Sequence, residues 1–381
     1  MPLIYALGSN GAGQLGIGHL NDVAKPEKCM FVSKESRINV DGSQIDRERK
    51  VKKIVAGGNH TLILTEEGKV FAAGRNGDGR LGLPIEGHED EKSKFEEVDF
   101  SESEELTACF GSDTWKVTDI AATWEASFFV VNHKFILTCG SGLKGELGLG
   151  TDIQVANTMR KVFEVDEPGV HILDIAACMA HLVFITSQGL VFGWGGCRKG
   201  QLGHDLEKEK TVWSPRRLGD DLYLKPERVV VGREYTVLMR SGENPVFWGN
   251  SKFFDPKDVK RAAENDLLVS GWSSIHLLSS RPTALITSIG RNDRGQLASR
   301  TFPPLQTLAT GSEHCVGITS AGKVIAWGWG EHGNCGDPLD SKGNVVGRWN
   351  EIIIPESAEG TQANRVAAGC ATTFIICDRG E

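Results

Sequence analysis

The chain has 381 residues, 40% hydrophobic and 24% charged, with a formal net charge of −8. A sizeable core can be buried, and the acidic balance argues against binding driven by nucleic-acid or anionic-membrane phosphates, which needs clustered Lys and Arg. No apolar run reaches roughly 18 residues, no secretory leader is recognisable, and nine scattered cysteines without a Cys-x-x-Cys pair suit a reducing compartment. An intracellular protein is expected, cytoplasmic with the nucleus as a second location, and no transmembrane helix is expected.

Leu3–Leu7 reads as a strand and leads into Gly11-Ala-Gly-Gln-Leu-Gly16, a formal G-x-G-x-x-G of the kind that cradles a dinucleotide pyrophosphate. The same formula returns at Gly77–Gly82, Gly140–Gly145 and Gly328–Gly333, with no amphipathic helix after it. The glycines are therefore expected to serve tight turns, and no cofactor is expected. The anchor GSNGAGQLG from Gly8 recurs as GRNGDGRLG from Gly74, GSGLKGELG from Gly140, GGCRKGQLG from Gly195 and GRNDRGQLA from Gly290. Degenerate copies start at Gly249 and Gly328, giving seven anchors at intervals of about 40 to 65 residues, the scale of a propeller or solenoid.

A second unit alternates with the anchors. It starts at Ile54 (IVAGGNHTLIL), Ile120, Ile175, Val229, Leu268, Leu308 and Val366 (VAAGCATTFII). Each copy is apolar and β-branched, is interrupted by a small residue, and resumes as an alternating strand. Turns such as Thr65-Glu-Glu-Gly68 follow, then strands ending in aromatic-Gly, as in Val191-Phe-Gly-Trp-Gly195. These are hairpins, not βαβ units. Two polar insertions are expected, over about 20–50 and 84–115; the second carries the acidic runs Glu86–Glu91 and Ser101–Glu105, read as a solvated loop or an arm for a basic partner. A segment over about 245–285 with Pro245 and Pro256 is expected to form an irregular blade.

The expected fold is all-β: one seven-bladed β-propeller over residues 1–381. The ring is expected to close by pairing the N-terminal strand Leu3–Leu7 with the C-terminal hairpin arm Val366–Ile376, which removes exposed sheet edges.

His60, His181 and His314 share one position in the second unit, where Ala126, Tyr235, Ser274 and Thr372 stand in the other copies. They are expected to pin the blades, not to hold a metal; His19 and His332 fall in anchor loops and are expected to be solvated. No nucleophile or metalloprotease motif is present, and a non-enzymatic protein is expected. The two residues at each inner turn are the candidate partner-binding positions. They read Gly58-Asn59, Trp124-Glu125, Met179-Ala180, Arg233-Glu234, Trp272-Ser273, Ser312-Glu313 and Cys370-Ala371. Trp124, Glu125, Met179, Arg233, Glu234, Trp272 and Glu313 are singled out, since Trp and Arg dominate interface hot spots; Trp124 and Trp272 plugging the central channel is the other reading.

The alternation of I-A-A-G-x-x-H-(T/S), G-x-V-(F/Y)-x-W-G and N-x-x-G-Q-L-G resembles the repeats of the regulator of chromosome condensation family, whose members fold as seven-bladed propellers. The first repeat, Ile4-Tyr-Ala-Leu-Gly-Ser-Asn-Gly11 with Gln14-Leu-Gly-Ile-Gly-His19, is similar to the alpha-tubulin suppressor branch of that family in fungi. That resemblance implies a heterodimer with a small CSL-type zinc-ribbon protein of diphthamide synthesis. It further implies a role in Elongator-dependent tRNA wobble-uridine modification, the link to Elongator being indirect and without direct nucleic-acid contact. On net charge, an acidic ring suits a partner with a basic patch. The alternative implied by the family is guanine-nucleotide exchange on a Ran-type small GTPase, which depends on an extra hairpin wedge; neither insertion has a hairpin signal.

Overall fold

The structure is a computed structural model, and it describes residues 3–32, 50–87, 90–101, 107–108, 115–280, 284–299, 301–355 and 362–378. Residues 33–49, 102–106 and 109–114, within the two expected insertions, lie outside the described residues.

Among the described residues, 27 strands form seven sheets, antiparallel except for one short rim strand. From the axis outward, blade 1 runs Gln362–Ala368, Thr372–Asp378, Leu3–Gly8 and Val23–Lys28. Blade 2 runs Val51–Ala56, His60–Thr65, Val70–Arg75 and Glu91–Glu97, with Phe31–Val32 added in parallel at the rim. Blade 3 comprises Val117–Ala122, Ala126–Val131, Phe135–Ser141 and Val155–Glu164; blade 4 comprises Ile172–Cys178, His181–Thr186, Val191–Gly196 and Thr211–Leu218. Blades 5 (Arg228–Val231, Tyr235–Met239, Val246–Gly249) and 6 (Leu267–Ser270, Ser274–Leu278, Ile286–Gly290) have three strands each. Blade 7 returns to four: Leu305–Thr310, His314–Thr319, Val324–Trp329 and Asn344–Ile352. The innermost strands pack side by side in sequence order, and that of blade 7 meets that of blade 1, so the ring is closed.

The blades hold together by burying both faces of their second strands. Every residue of His60–Thr65, Ala126–Val131, His181–Thr186 and His314–Thr319 is buried. Aromatic rings fill the gaps between sheets: Phe184 and Phe192 stack within blade 4, Phe163 of blade 3 meets both at an angle, and Phe128 lies edge-on to Trp194. The tryptophans of the aromatic-Gly motif also tie blade to blade. Trp194 Nε1 donates to Glu146 O at 2.6 Å, and Trp327 Nε1 to Gln296 O at 2.9 Å. A fully buried Trp that also satisfies its N–H is worth about 3–5 kcal/mol against Ala.

The seven anchor glycines, Gly8, Gly74, Gly140, Gly195, Gly249, Gly290 and Gly328, all have φ between 98° and 126°. Each lies directly opposite the first residue of its blade's second strand, as Gly195 does His181 and Gly290 does Ser274. A Cβ there would run into the carbonyl oxygen of the residue before that strand: Ala371, Asn59, Glu125, Ala180, Glu234, Ser273 or Glu313. The same seven oxygens accept the amide of the residue after the glycine, at 2.7–3.0 Å. The positive φ and the missing side chain are thus both required. Further along the anchor loop, Gly13, Gly79, Gly145, Gly295 and Gly333 lie against Ser93, Asn157, Val212, Val345 and Val23 on the next blade's outer strand.

The ring closes as the sequence predicts: Leu3–Gly8 pairs antiparallel with Thr372–Cys377 over six registered residues, Leu3 opposite Cys377 and Gly8 opposite Thr372. Leu3, Ile4, Tyr5 and Leu7 are all buried. At about 1.5–3 kcal/mol for each large apolar side chain, these four contribute roughly 6–12 kcal/mol, comparable with the whole stability of a typical fold. Deleting residues 1–8 should abolish the cooperative thermal transition or lower its midpoint steeply. Melting followed by circular dichroism checks this; a truncated chain that melts like the intact one contradicts closure by this strand.

Candidate partner-binding site

The turn between the first two strands of every blade lies at one end of the channel. Each small-residue motif must cross there between a strand facing the axis and a strand buried in the sheet. In blade 4 the crossing is the two-residue turn Met179-Ala180, with Met179 in the left-handed region at φ 49°. Neighbouring crossings are hydrogen-bonded through their backbones. Gly58 N donates to Trp124 O and Trp124 N to Met179 O, both at 2.9 Å; Arg233 N donates to Trp272 O at 3.0 Å and Trp272 N to Ser312 O at 2.8 Å. This rim fixes the loops to the ring.

The predicted residues fall into three groups. Trp124 and Trp272, on blades 3 and 6, reach over the channel mouth and meet with ring centroids 5.9 Å apart; both remain partly exposed. Beneath them a cavity of about 490 Å³ runs down the axis, lined by the inner strands and by Met179. Arg233 is exposed, with its guanidinium 5.5 Å from the Trp272 ring centre. The acidic residues are engaged within the ring: Glu125 with Arg80 at 3.4 Å and Glu234 Oε2 with Asn250 Nδ2 at 2.7 Å. Glu313 is only 8% exposed; its carboxylate accepts from Ser273 Oγ at 3.0 Å and from Gln296 Nε2, with Arg291 at 3.8 Å. It braces the loops of blades 6 and 7.

Anchor-loop residues that the turn motif could not reveal share this end. Because the residue after each anchor glycine bonds the turn carbonyl, Asn250, Arg291 and Trp329 sit beside Glu234, Ser273 and Glu313. Phe253, 44% exposed, has Lys252 and Arg291 over its ring at 5.6 and 5.7 Å, and Arg294 lies 5.3 Å from the Trp329 ring centre. The sequence signal was available: an anchor glycine facing the start of the second strand places both loops at one end.

The glycine loop itself has its amides committed. Asn10 Oδ1 accepts from Leu15 N and Gln14 Oε1 from Ala12 N, both at 2.9 Å, while Gly13 N and Gly16 N donate to Asn10 O and Gly13 O. Asn76 and Asn292 repeat the first contact with Leu81 and Leu297. The Asn and Gln of the motif are loop staples. Part of the acidic stretch is likewise structural: Asp90 is buried and meets Asn76 Nδ2 at 3.2 Å and Lys92 Nζ at 3.1 Å.

Two of the repeated histidines pin neighbouring blades. His181 Nε2 meets Thr236 Oγ1 at 3.2 Å and His314 Nε2 meets Thr373 Oγ1 at 3.0 Å, each on the following blade. His60 is buried in the equivalent place, and neither of its ring nitrogens has a hydrogen-bond partner among the described residues. In blade 5, Tyr235 takes the role, its hydroxyl within 3.0 Å of Gly271 O and 2.8 Å of Ser274 O. In blade 6, where Ser274 replaces the histidine, His276 from two residues on fills the space and bonds Ser274 Oγ at 2.9 Å and Ser288 Oγ at 2.8 Å. His19 and His332 are partly exposed and pair with Glu27 and Asp22 at 3.0 and 2.8 Å.

Burial lowers the pKa of His60 and His276 to about 3, and of His181 and His314 to about 4. An unfolded histidine takes up its proton near 6.5, so below that pH the unfolded chain binds more protons than the fold. Stability from these groups is complete above about pH 6.5 and is lost as pH falls towards 4, by up to ~1.4 kcal/mol per pH unit per histidine. His314→Gln should therefore lose less stability than the intact chain between pH 7 and pH 5 in urea titrations. An equal loss in both would contradict the neutral, buried histidine.

Comparison with known proteins bears on the whole ring. The family model described as RCC1-like domain matches residues 3–381. The RCC1 repeat-containing protein C10F6.04 of Schizosaccharomyces pombe is 28% identical over 394 aligned residues, covering 99% of each chain. The secretion-regulating guanine nucleotide exchange factor of Mus musculus is 25% identical, covering 98% of this chain and 83% of that one. The crystal structure of Saccharomyces cerevisiae Prp20p, described with its binding properties to Gsp1p and histones, superposes with a TM-score of 0.76 at 21% identity, covering 100% of this chain and 92% of that one. It supports the fold.

Proposed function

Because the chain belongs to the RCC1-like domain family, we propose that it works as a non-enzymatic protein-binding ring whose docking face is the loop end. The observation that carries this reading is the pair Trp272 and Arg233. A partly exposed Trp with an exposed guanidinium 5.5 Å from its ring centre, held by backbone hydrogen bonds on both sides, is a preorganised hot spot. The resemblance of residues 4–19 to the alpha-tubulin suppressor branch supports a small CSL-type zinc-ribbon protein as the partner. On that reading the heterodimer serves Elongator-dependent wobble-uridine modification and diphthamide synthesis, in the cytoplasm and nucleus.

A second reading is favoured by the mouse relative named as a guanine nucleotide exchange factor: exchange on a Ran-type small GTPase through the same face. Affinity purification of the tagged chain from cells separates the two. The first reading expects a small zinc protein in stoichiometric amount, lost on combined Trp124→Ala and Trp272→Ala. The Trp pair itself is worth only about 0.5–1.5 kcal/mol beyond burial, so the variant should stay folded. Nucleotide release from a Ran-type GTPase at catalytic concentrations of the chain, without such a co-purifying protein, replaces the first reading by the second.

A further inference from the structure

Between blades 5 and 6, beside the Trp pair, the loop end opens into a separate cleft of about 240 Å³. Arg233, Phe253, Phe254, Trp272 and Arg291 are among its lining residues, together with the carboxylates of Glu234 and Glu313. The charges divide unequally. Both carboxylates already have donors: Asn250 for Glu234, and Ser273, Gln296 and Arg291 for Glu313. Arg291 is consumed by Asp293 and Glu313. Arg233 has an aromatic face and, among the described residues, no acidic partner; the same holds for Lys252 over Phe253 and for Arg294 over Trp329. Within the cleft, Arg233 is thus the guanidinium that no carboxylate of the described residues pairs with, while Glu234 keeps its charge beside the neutral donor Asn250.

Resting on the loop end as the docking face, we propose that this cleft receives an acidic peptide segment of the partner. One carboxylate pairs with the Arg233 guanidinium, and a neighbouring apolar side chain lies between Trp272 and Phe253. A guanidinium beside an aromatic face keeps its N–H donors for a carboxylate, which it can bind through two hydrogen bonds. A single-stranded RNA could also use Arg and aromatic faces. It fits less well, because a strand charged at every nucleotide needs several free cations, and among the described residues lining the cleft Arg233 alone is a cation without an acidic partner.

The test is fluorescence polarisation with three fluorescein-labelled probes: a peptide of Glu and Asp around one Phe, the same peptide with Lys for every acid, and single-stranded oligouridine. The full chain should bind the acidic peptide, more weakly as salt rises, and should not bind the Lys peptide. Arg233→Glu should weaken acidic-peptide binding by roughly tenfold or more, with an unchanged thermal midpoint. Arg217→Glu, a charge reversal on the outer strand of blade 4, should leave binding intact. No binding of the acidic peptide, equal binding by Arg233→Glu, or preference for oligouridine each overturns the proposal. Loss of the cellular partner with Trp124→Ala plus Trp272→Ala but not with Arg233→Glu would remove the acidic segment and leave the docking face in place.

Discussion

Seven carbonyl oxygens, one per blade, govern this molecule. Each belongs to the residue before a buried second strand, accepts an amide from the anchor loop, and leaves no space for a side chain on the glycine opposite. Glycine's freedom at φ near 110° is therefore used seven times for one purpose. The contact sets the register of the second and third strands and brings two loops from each blade to the same end of the ring. A chain built for strand geometry thereby presents a collar of loops on a rigid base, and evolution of sequence within those loops need not disturb the sheets.

What the collar displays is decided by pairing within it. Summed over the chain, acids outnumber bases, and that balance alone suggests a basic partner. On the loop end over blades 5 to 7 the acids are spent on neighbours, while Arg233, Lys252 and Arg294 have aromatic faces beneath them. Net charge describes the long-range field; the local valence of a site depends on which charges lack a partner. Blades 5 and 6 contribute most of this surface, and they are also the three-stranded ones, with Phe253 and Phe254 carried by the segment that follows the third strand of blade 5.

Much of the fold was legible because it rests on repeated backbone requirements. The glycine at each anchor, the small residues of the inner strands and the buried histidine recur in register, so the chain aligned on itself reveals ring, blade count and closing strand. Other features were hidden for identifiable reasons. His276 supplies an imidazole that the motif misses at Ser274, because residues two apart on a strand share a face. Tyr235 replaces a histidine with a longer reach to the same neighbouring blade. Asp90 sits in an acidic run yet is buried, its partners Asn76 and Lys92 coming from an anchor loop and an outer strand. Glu313 looked like a contact residue by its turn position, but Ser273 and Gln296 enclose it. In each case the deciding partner lies on another strand or blade, which spacing within one repeat does not encode.

Hydrogen–deuterium exchange of the chain, alone and with a protein found to co-purify with it in stoichiometric amount, tests most directly whether the loop end is the working end. The predicted result is slowed exchange at residues 123–125, 232–234, 271–273 and 311–313 and in the anchor loops of blades 5 to 7. Slowed exchange at the opposite end instead, in turns such as Thr65–Lys69, Thr186–Leu190 and Thr319–Lys323, with the loop end unaltered, would contradict it.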